Sequence, residues 1–169
     1  MRADIKLFTP IDEAFAKKHL VAAGAVKTIE GGTPTKGADA AAASPWTGAV
    51  VPMVDGDGTT SHRFTGIAKG DSTDTVAAAG EVSIWLPLPG VVYEAKAKTS
   101  STADTAAEVL ALSGKRVVFD LTASVWTVDA AAADAVANNV VIIGGDHNTK
   151  VLQFVYAPKG TFLAFCISA

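Results

Sequence analysis

Histidines, a cysteine and closely spaced carboxylates are the residues of this sequence that most directly suggest chemistry. The chain has three histidines, His19, His62 and His147, and the last follows Asp146 in the segment GGDHNTK. A hydrolytic triad needs a nucleophile, a base and an orienting acid brought together. A small hydrolase that uses Asp146 and His147 is therefore one hypothesis. The sequence contains no G-x-S-x-G elbow, and a Gly/Asn-rich turn explains the pair more simply.

The segment DGDG, which begins at Asp55, is the pattern closest to a metal site. Calcium takes about six to eight oxygen ligands, and an EF-hand loop ends in a glutamate at its twelfth position. The twelfth residue from Asp55 is Gly66, so the segment predicts a solvated turn, while a calcium site of another kind stays open. Cysteine and histidine pairs with zinc spacing are missing from the sequence. We predict no catalytic residue, no metal and no cofactor.

Cys166 is the single cysteine, and it lies in the apolar run FLAFCIS. A lone cysteine forms no disulfide within its own chain, so an oxidising compartment is not implied, and a small buried side chain is expected. The first residues mix acidic and basic side chains where a secretory signal would be apolar. Runs of about 18 apolar residues, as a membrane helix needs, are missing. We expect synthesis in the cytoplasm.

The composition favours a protein that binds through contact area. Charged residues make up 18% of the chain and the net charge is −3, whereas soluble domains usually contain about 25% charged residues. Basic residues cluster only in pairs such as Lys17–Lys18, which argues against nucleic acid and membrane surfaces as partners. A surface rich in Ala, Thr and Val suits a protein that covers much of its exterior with neighbours.

The N-terminal part carries helix signals followed by linker composition. In residues 9–24, TPIDEAFAKKHLVAAG, Thr9 suits an N-cap and Pro10 suits the first helical position. Residues 31–45, GGTPTKGADAAAASP, are typical of a flexible connection.

The chain is therefore divided into two parts, an N-terminal arm and linker over residues 1–45 and a β-rich body over residues 46–169. In the body the apolar residues recur with a period of two. GEVSIWLPL places Val82 and Ile84 opposite Glu81 and Trp85.

One helix is predicted in the body, in TADTAAEVLALSG. Its cap is Thr102 or Asp104, and its apolar side is formed by Ala107, Leu110 and Ala111. The Ala/Asp-rich stretch after it is ambiguous between a loop and a helical turn. Seven or eight short strands around this helix predict a mainly β fold, a small β-barrel or β-sandwich with an N-terminal arm. Strands are predicted in GEVSIWLPL, GVVYEAKAK, KRVVFDLT, SVWTVDA, VVIIGGD, KVLQFVYAP and TFLAFCIS. TGAVVPMV, where Pro52 favours a sheet edge, and HRFTGIA are candidates for a further strand.

The segment FTGIAKGDSTDTVAAAGEVSIWLPLPGVVYEAKAK resembles the decoration, or cement, proteins of tailed bacteriophage heads. The similarity continues through LSGKRVVFDLT, an Ala/Asp-rich stretch, VVIIGGD and VLQFVYAP, so it covers about residues 60–157. The matching motifs are GIA at Gly66–Ala68, STDT at Ser72–Thr75, the strand Glu81–Leu86 and PGVVYEA at Pro89–Ala95.

The resemblance implies a non-enzymatic virion protein on the exterior of an assembled capsid. Its partners would be the major capsid protein and further copies of itself, as a homotrimer, with synthesis in the host cytoplasm. A clamp that bridges neighbouring subunits needs shape and stiffness rather than reactive groups. The alternative is a receptor-binding or carbohydrate-binding β-module on a virion or cell surface. The candidate partner-binding residues are Ile11, Phe15, Leu20, Trp46 and Trp85, and for Trp85 core packing is the competing interpretation.

Overall fold

A computed structural model describes residues 5–8, 16–23, 28–37, 49–59, 64–88 and 90–157. Over these residues the fold is mainly β with one α-helix, as the sequence predicts. The elements in chain order are β1 Lys6–Leu7, β2 Ala16–Val21, β3 Pro34–Gly37, β4 Ala49–Pro52, β5 Phe64–Ala68, β6 Gly80–Trp85, β7 Tyr93–Lys96, α1 Ala106–Leu112, β8 Arg116–Thr122, β9 Val125–Asp129, β10 Val140–Asp146 and β11 Val151–Tyr156, with a 3-10 turn at Ser100–Thr102.

Five strands close into a small barrel in the order β2-β4-β3-β5-β6. β2 and β4 are parallel, and the other neighbouring pairs are antiparallel. Alternate side chains of a strand point to opposite faces, so β6 buries Val82 and Ile84 and leaves Glu81 exposed. The predicted alternation of this strand is confirmed. The buried apolar cluster of the barrel consists of Val21, Ile29, Val50, Ala68, Val82 and Ile84.

The remaining six strands form a curled sheet in the order β1-β7-β11-β10-β8-β9. An isolated parallel bridge between Ala97 and Val128 brings β9 back towards the end of β7. The inner face of this sheet holds the larger core, in which Phe119 and Phe154 pack edge to face with ring centroids 5.8 Å apart. Burying such aromatic side chains provides much of the apolar area that alanine cannot.

The barrel and the curled sheet share this core through the C-terminal end of β6. Trp85 and Phe64 are partly buried and pack against the larger core, and the Tyr93 hydroxyl donates a 3.0 Å hydrogen bond to the Trp85 carbonyl. The close approach of β5 and β6 explains the glycine of the GIA motif. Gly66 has φ +141°, and a Cβ there would lie 2.1 Å from the Trp85 carbonyl oxygen, so any larger residue would force the strands apart.

Helix α1 begins at a capping box. The Thr105 hydroxyl accepts a hydrogen bond from the Glu108 backbone, and the Glu108 carboxylate accepts one from the Thr105 backbone. The cap is therefore Thr105, and the prediction of Thr102 or Asp104 is wrong. The helix buries Val109 and Leu112, whereas Leu110 is 74% exposed. The predicted apolar side was therefore wrong, because the two large side chains spaced three apart pack inward and the alanines do not compete with them.

The predicted N-terminal helix is wrong over residues 16–21, which form β2 and pair with β6 along their whole length. Residues 34–37 of the predicted linker form β3. The barrel thus takes strands from both sides of residue 45, and Val21 and Ile29 belong to its buried cluster. The described residues of the predicted arm are therefore part of the body rather than an appendage. The reason is tertiary, since strand pairing with distant residues outweighs local helix propensity.

Two further strand predictions have different outcomes. β4 has hydrogen-bonded neighbours on both sides, β2 and β3, so the edge position inferred from Pro52 is wrong. The strand tolerates proline because Pro52 is its last residue. The predicted closing strand TFLAFCIS, with Cys166, lies outside the described residues, as does His62.

Candidate functional site

The predicted partner-binding residues that the structure describes are Leu20 and Trp85. Leu20 is 55% exposed and pairs with Glu81 on the neighbouring strand β6. Trp85, also on β6, pairs with Ala16 and packs against the larger core. The two pairs are four positions apart along β2, which corresponds to about 13 Å at the usual rise of a strand. The two side chains therefore lie near opposite ends of the β2–β6 pairing. Ile11, Phe15 and Trp46 lie outside the described residues.

Asp146 ends β10, and His147 begins the turn that leads to β11. Asp146 Oδ1 accepts hydrogen bonds from the Asn148 backbone at 2.9 Å and from its side chain at 3.2 Å, and Oδ2 accepts one from the Thr149 hydroxyl at 2.9 Å. The Asn148 backbone bond, followed by the Thr149 bond, holds the pKa of Asp146 below its usual value. Both carboxylate oxygens thus stabilise the turn, which supports the turn interpretation of this pair.

The two aspartates of DGDG also bind groups of the fold. Asp57 is 3% exposed, and its Oδ2 lies 2.7 Å from both Lys36 Nζ and the backbone nitrogen of Val54. Asp55 Oδ1 accepts a 3.1 Å hydrogen bond from the Leu121 backbone. These bonds tie the turn to β3 and β8. Among the described residues, no group of three or more His, Cys, Asp or Glu side chains is placed to hold a metal ion.

A buried carboxylate that the sequence did not single out lies in the connection between β5 and β6. Asp74 is 2% exposed and accepts hydrogen bonds from the hydroxyls of Ser72 and Thr28, and from the Thr28 backbone at 3.2 Å. Burial disfavours the charged form, but the Ser72 and Thr28 bonds prevail and hold the pKa of Asp74 below its usual value. This buried anion joins the STDT segment to a part of the chain 46 residues earlier.

A second buried carboxylate lies in β8 and is hydrogen-bonded to β9. Asp120 is 2% exposed, and its Oδ1 lies 2.7 Å from Lys98 Nζ while Oδ2 accepts hydrogen bonds from the Thr122 and Thr127 hydroxyls. Lys98 also lies 3.2 Å from Asp129. Burial alone would raise the pKa of Asp120, but the bonds from Lys98 and the two hydroxyls outweigh it, so this pKa lies below its usual value. The pKa of Lys98 is raised, first by Asp120 and then by Asp129. The cluster is a charged clamp between strands.

A shallow depression lies between β1, β7 and β9. Its volume is about 220 Å³, which is smaller than the roughly 300–1,000 Å³ of most small-molecule sites. Its lining mixes three charged side chains with apolar ones and brings no nucleophile beside a base. The residues that line it are Lys6, Glu94, Ala95, Lys96, Val125, Trp126 and Val151.

The surface feature that sequence reasoning missed is the tip of the connection that Asp74 holds. Residues 75–79, TVAAA, are all exposed, and Val76 is 73% exposed. The available signal was the absence of charge between Asp74 and Glu81 in a connection longer than a hairpin needs. An apolar tip on a polar, anchored base is suited to contact with another protein surface.

Comparison with known proteins does not assign the chain to a family. Neither a protein-family model nor a curated protein sequence matches it. In the part of the chain that the structure describes, every helix is too short or too polar to cross a membrane. Function therefore has to be inferred from the chain's own residues and from the resemblance noted for residues 60–157.

Proposed function

We propose that this protein binds the outer surface of an assembled tailed-bacteriophage head and stabilises it by bridging neighbouring subunits of the major capsid protein. The observation that carries the proposal is how the fold uses its carboxylates. Asp55, Asp57 and Asp146, the acidic residues with the best patterns for chemistry, all accept hydrogen bonds from the fold itself. Their role in the structure is stiffness, which is what a clamp requires.

The segment that carries the resemblance supports the same proposal. Residues 64–98 contribute β5 and β6 to the barrel and β7 to the curled sheet, and the Tyr93–Trp85 hydrogen bond joins the two at 3.0 Å. The segment is thus the rigid junction of the molecule. Two large apolar side chains beside this segment or within it are more than half exposed, namely Leu20, which pairs with Glu81 of β6, and Val76 in the connection between β5 and β6.

Mass action explains how such a protein would stabilise a shell. A protein that binds the intact lattice and not the separate subunits stabilises the lattice by RT ln(1 + [L]/Kd) for each site, about 2.7 kcal/mol when the free concentration is 100 times Kd. A homotrimer engages several subunits at once, so modest contacts become strong through effective concentration. Neither step requires a cofactor or a catalytic group.

The test uses purified protein and expanded heads assembled without it. We expect saturable co-sedimentation with the heads, a higher temperature of head disruption, and no comparable binding to dissociated capsid subunits, which serve as the control. Absence of binding to the heads at saturating concentration would overturn the proposal.

The carbohydrate-binding alternative makes a different prediction. Sugar sites are commonly lined by exposed aromatic side chains, and within the described residues Phe8 is the one aromatic side chain that is at least half exposed. Binding to a glycan array in the absence of heads would favour the alternative, and we expect none.

A further inference from the structure

The connection between β5 and β6 is longer than its geometry requires. The two strands are antiparallel neighbours, and β5 ends at Ala68 while β6 begins at Gly80, which leaves 11 residues between them. Antiparallel neighbours are usually joined by about two to five residues. The additional residues are placed in solvent, since each of residues 75–79 is exposed.

Hydrogen bonds within the fold hold the base of this connection in place. Besides the bonds to Asp74, the Ser72 backbone donates to the Ile29 carbonyl at 2.8 Å and the Ile29 backbone donates to the Ser72 hydroxyl at 3.1 Å. On the other side, the Thr73 backbone donates to the Glu81 carbonyl at 3.0 Å. The fold thus commits a buried carboxylate and a set of paired backbone groups to hold the base of one surface loop.

The tip is also closed on itself. Thr75 and Ala78 exchange backbone hydrogen bonds of 2.9 and 3.3 Å, and the Thr75 hydroxyl accepts another from the Ala78 backbone at 3.1 Å. A turn that is already formed loses little conformational entropy on binding. At its apex Val76 is 73% exposed, so the molecule presents an apolar side chain in a fixed position.

We propose that the tip, residues 75–79, is a docking element that seats Val76 in an uncharged apolar depression on the major capsid protein. This inference rests on the proposed function and names the element that would make the contact. The chemistry of the tip fits a folded protein better than nucleic acid or a lipid surface. It carries no cation to neutralise phosphates and no large aromatic or basic side chain to anchor it in a lipid interface.

The test compares two matched variants of the full chain. Val76→Glu places a charge at the tip, and Val136→Glu places the same charge at another exposed loop valine, which is 62% exposed between β9 and β10. Binding to expanded heads is measured by co-sedimentation, and the urea midpoint of each variant is measured to establish that both are folded. We expect at least tenfold weaker binding for Val76→Glu, less than twofold change for Val136→Glu, and retained binding for Val76→Ile.

The outcomes separate this inference from the proposed function. If the wild type binds heads and Val76→Glu binds equally well, the docking role is overturned while the proposed function stands. Equal weakening by both glutamate variants also overturns it, because the loss would then reflect charge in general rather than the tip. If the wild type itself does not bind heads, the proposed function and this inference fall together.

Discussion

Replacing Asp74 by asparagine tests whether the buried carboxylate holds the loop base in place. The side chain keeps its size, but an NH2 group replaces one carboxylate oxygen. That group cannot accept the hydrogen bond from the Ser72 or the Thr28 hydroxyl. A buried donor left without an acceptor costs about 1–3 kcal/mol, and bonds to a charged group contribute about 1.5–3 kcal/mol. We therefore expect Asp74→Asn to lower the free energy of unfolding by about 2–4 kcal/mol at pH 7.

The assay is urea unfolding followed by tryptophan fluorescence, with stability taken from the midpoint and slope. Asp104→Asn is the matched control, because Asp104 forms an exposed ion pair with Lys150 at 2.6 Å, and such pairs contribute at most about 1 kcal/mol. A loss for Asp74→Asn no larger than for this control would refute the argument from burial.

The pH dependence gives a second check of the same carboxylate. The pKa of Asp74 is lowered in the folded protein, so its contribution is fully present above the unfolded value of about 3.9. It is lost as the pH falls through the folded pKa. The stability difference between wild type and Asp74→Asn should therefore shrink below about pH 4. A difference that stays constant through that range would show that the charge of Asp74 is not what the variant removes.

Two further predictions concern the turn between β8 and β9 and the strand β2. Ala123 and Ser124 form the two-residue turn between β8 and β9 with φ +50° and +62°, a left-handed conformation that Asn-Gly adopts more readily. Because that conformation costs most residues about 1–2 kcal/mol, the double change to Asn and Gly should raise the free energy of unfolding in urea by about 1 kcal/mol, and a decrease would contradict the backbone argument. Deleting residues 1–30 removes β2 and the buried Ile29. The truncated chain should therefore show no cooperative thermal transition by circular dichroism. A sharp transition near the wild-type temperature would show that the barrel does not need β2.

The strands were the most predictable part of the fold, because a half-buried strand shows its two faces in the sequence. In β7 the buried residues Tyr93 and Ala95 alternate with Glu94 and Lys96, and the same pattern in β6 predicted which side chains would be buried. The mainly β class, as a barrel or a sandwich, followed from several such segments. Local alternation is sufficient here, since both neighbours of a strand impose the same period.

Long-range pairing was not predictable from local patterns. Residues 16–21 follow helix-starting signals, yet His19 pairs with Val82 in β6, more than 60 positions away in the chain. The Asp74 cluster poses the same difficulty, because its partner Thr28 lies 46 residues earlier and neither residue carries a motif. The tip of the loop was missed for a related reason: TVAAA is unremarkable as a sequence, and only the fixed base gives it a defined position.

Electron cryomicroscopy of expanded heads, before and after addition of the purified full chain, tests the central claim most directly. We expect added density on the outer surface that fits the barrel and the curled sheet, with each copy in contact with at least two capsid subunits. Heads that show no added density at saturating protein concentration, or density that touches a single subunit without bridging, would contradict the account.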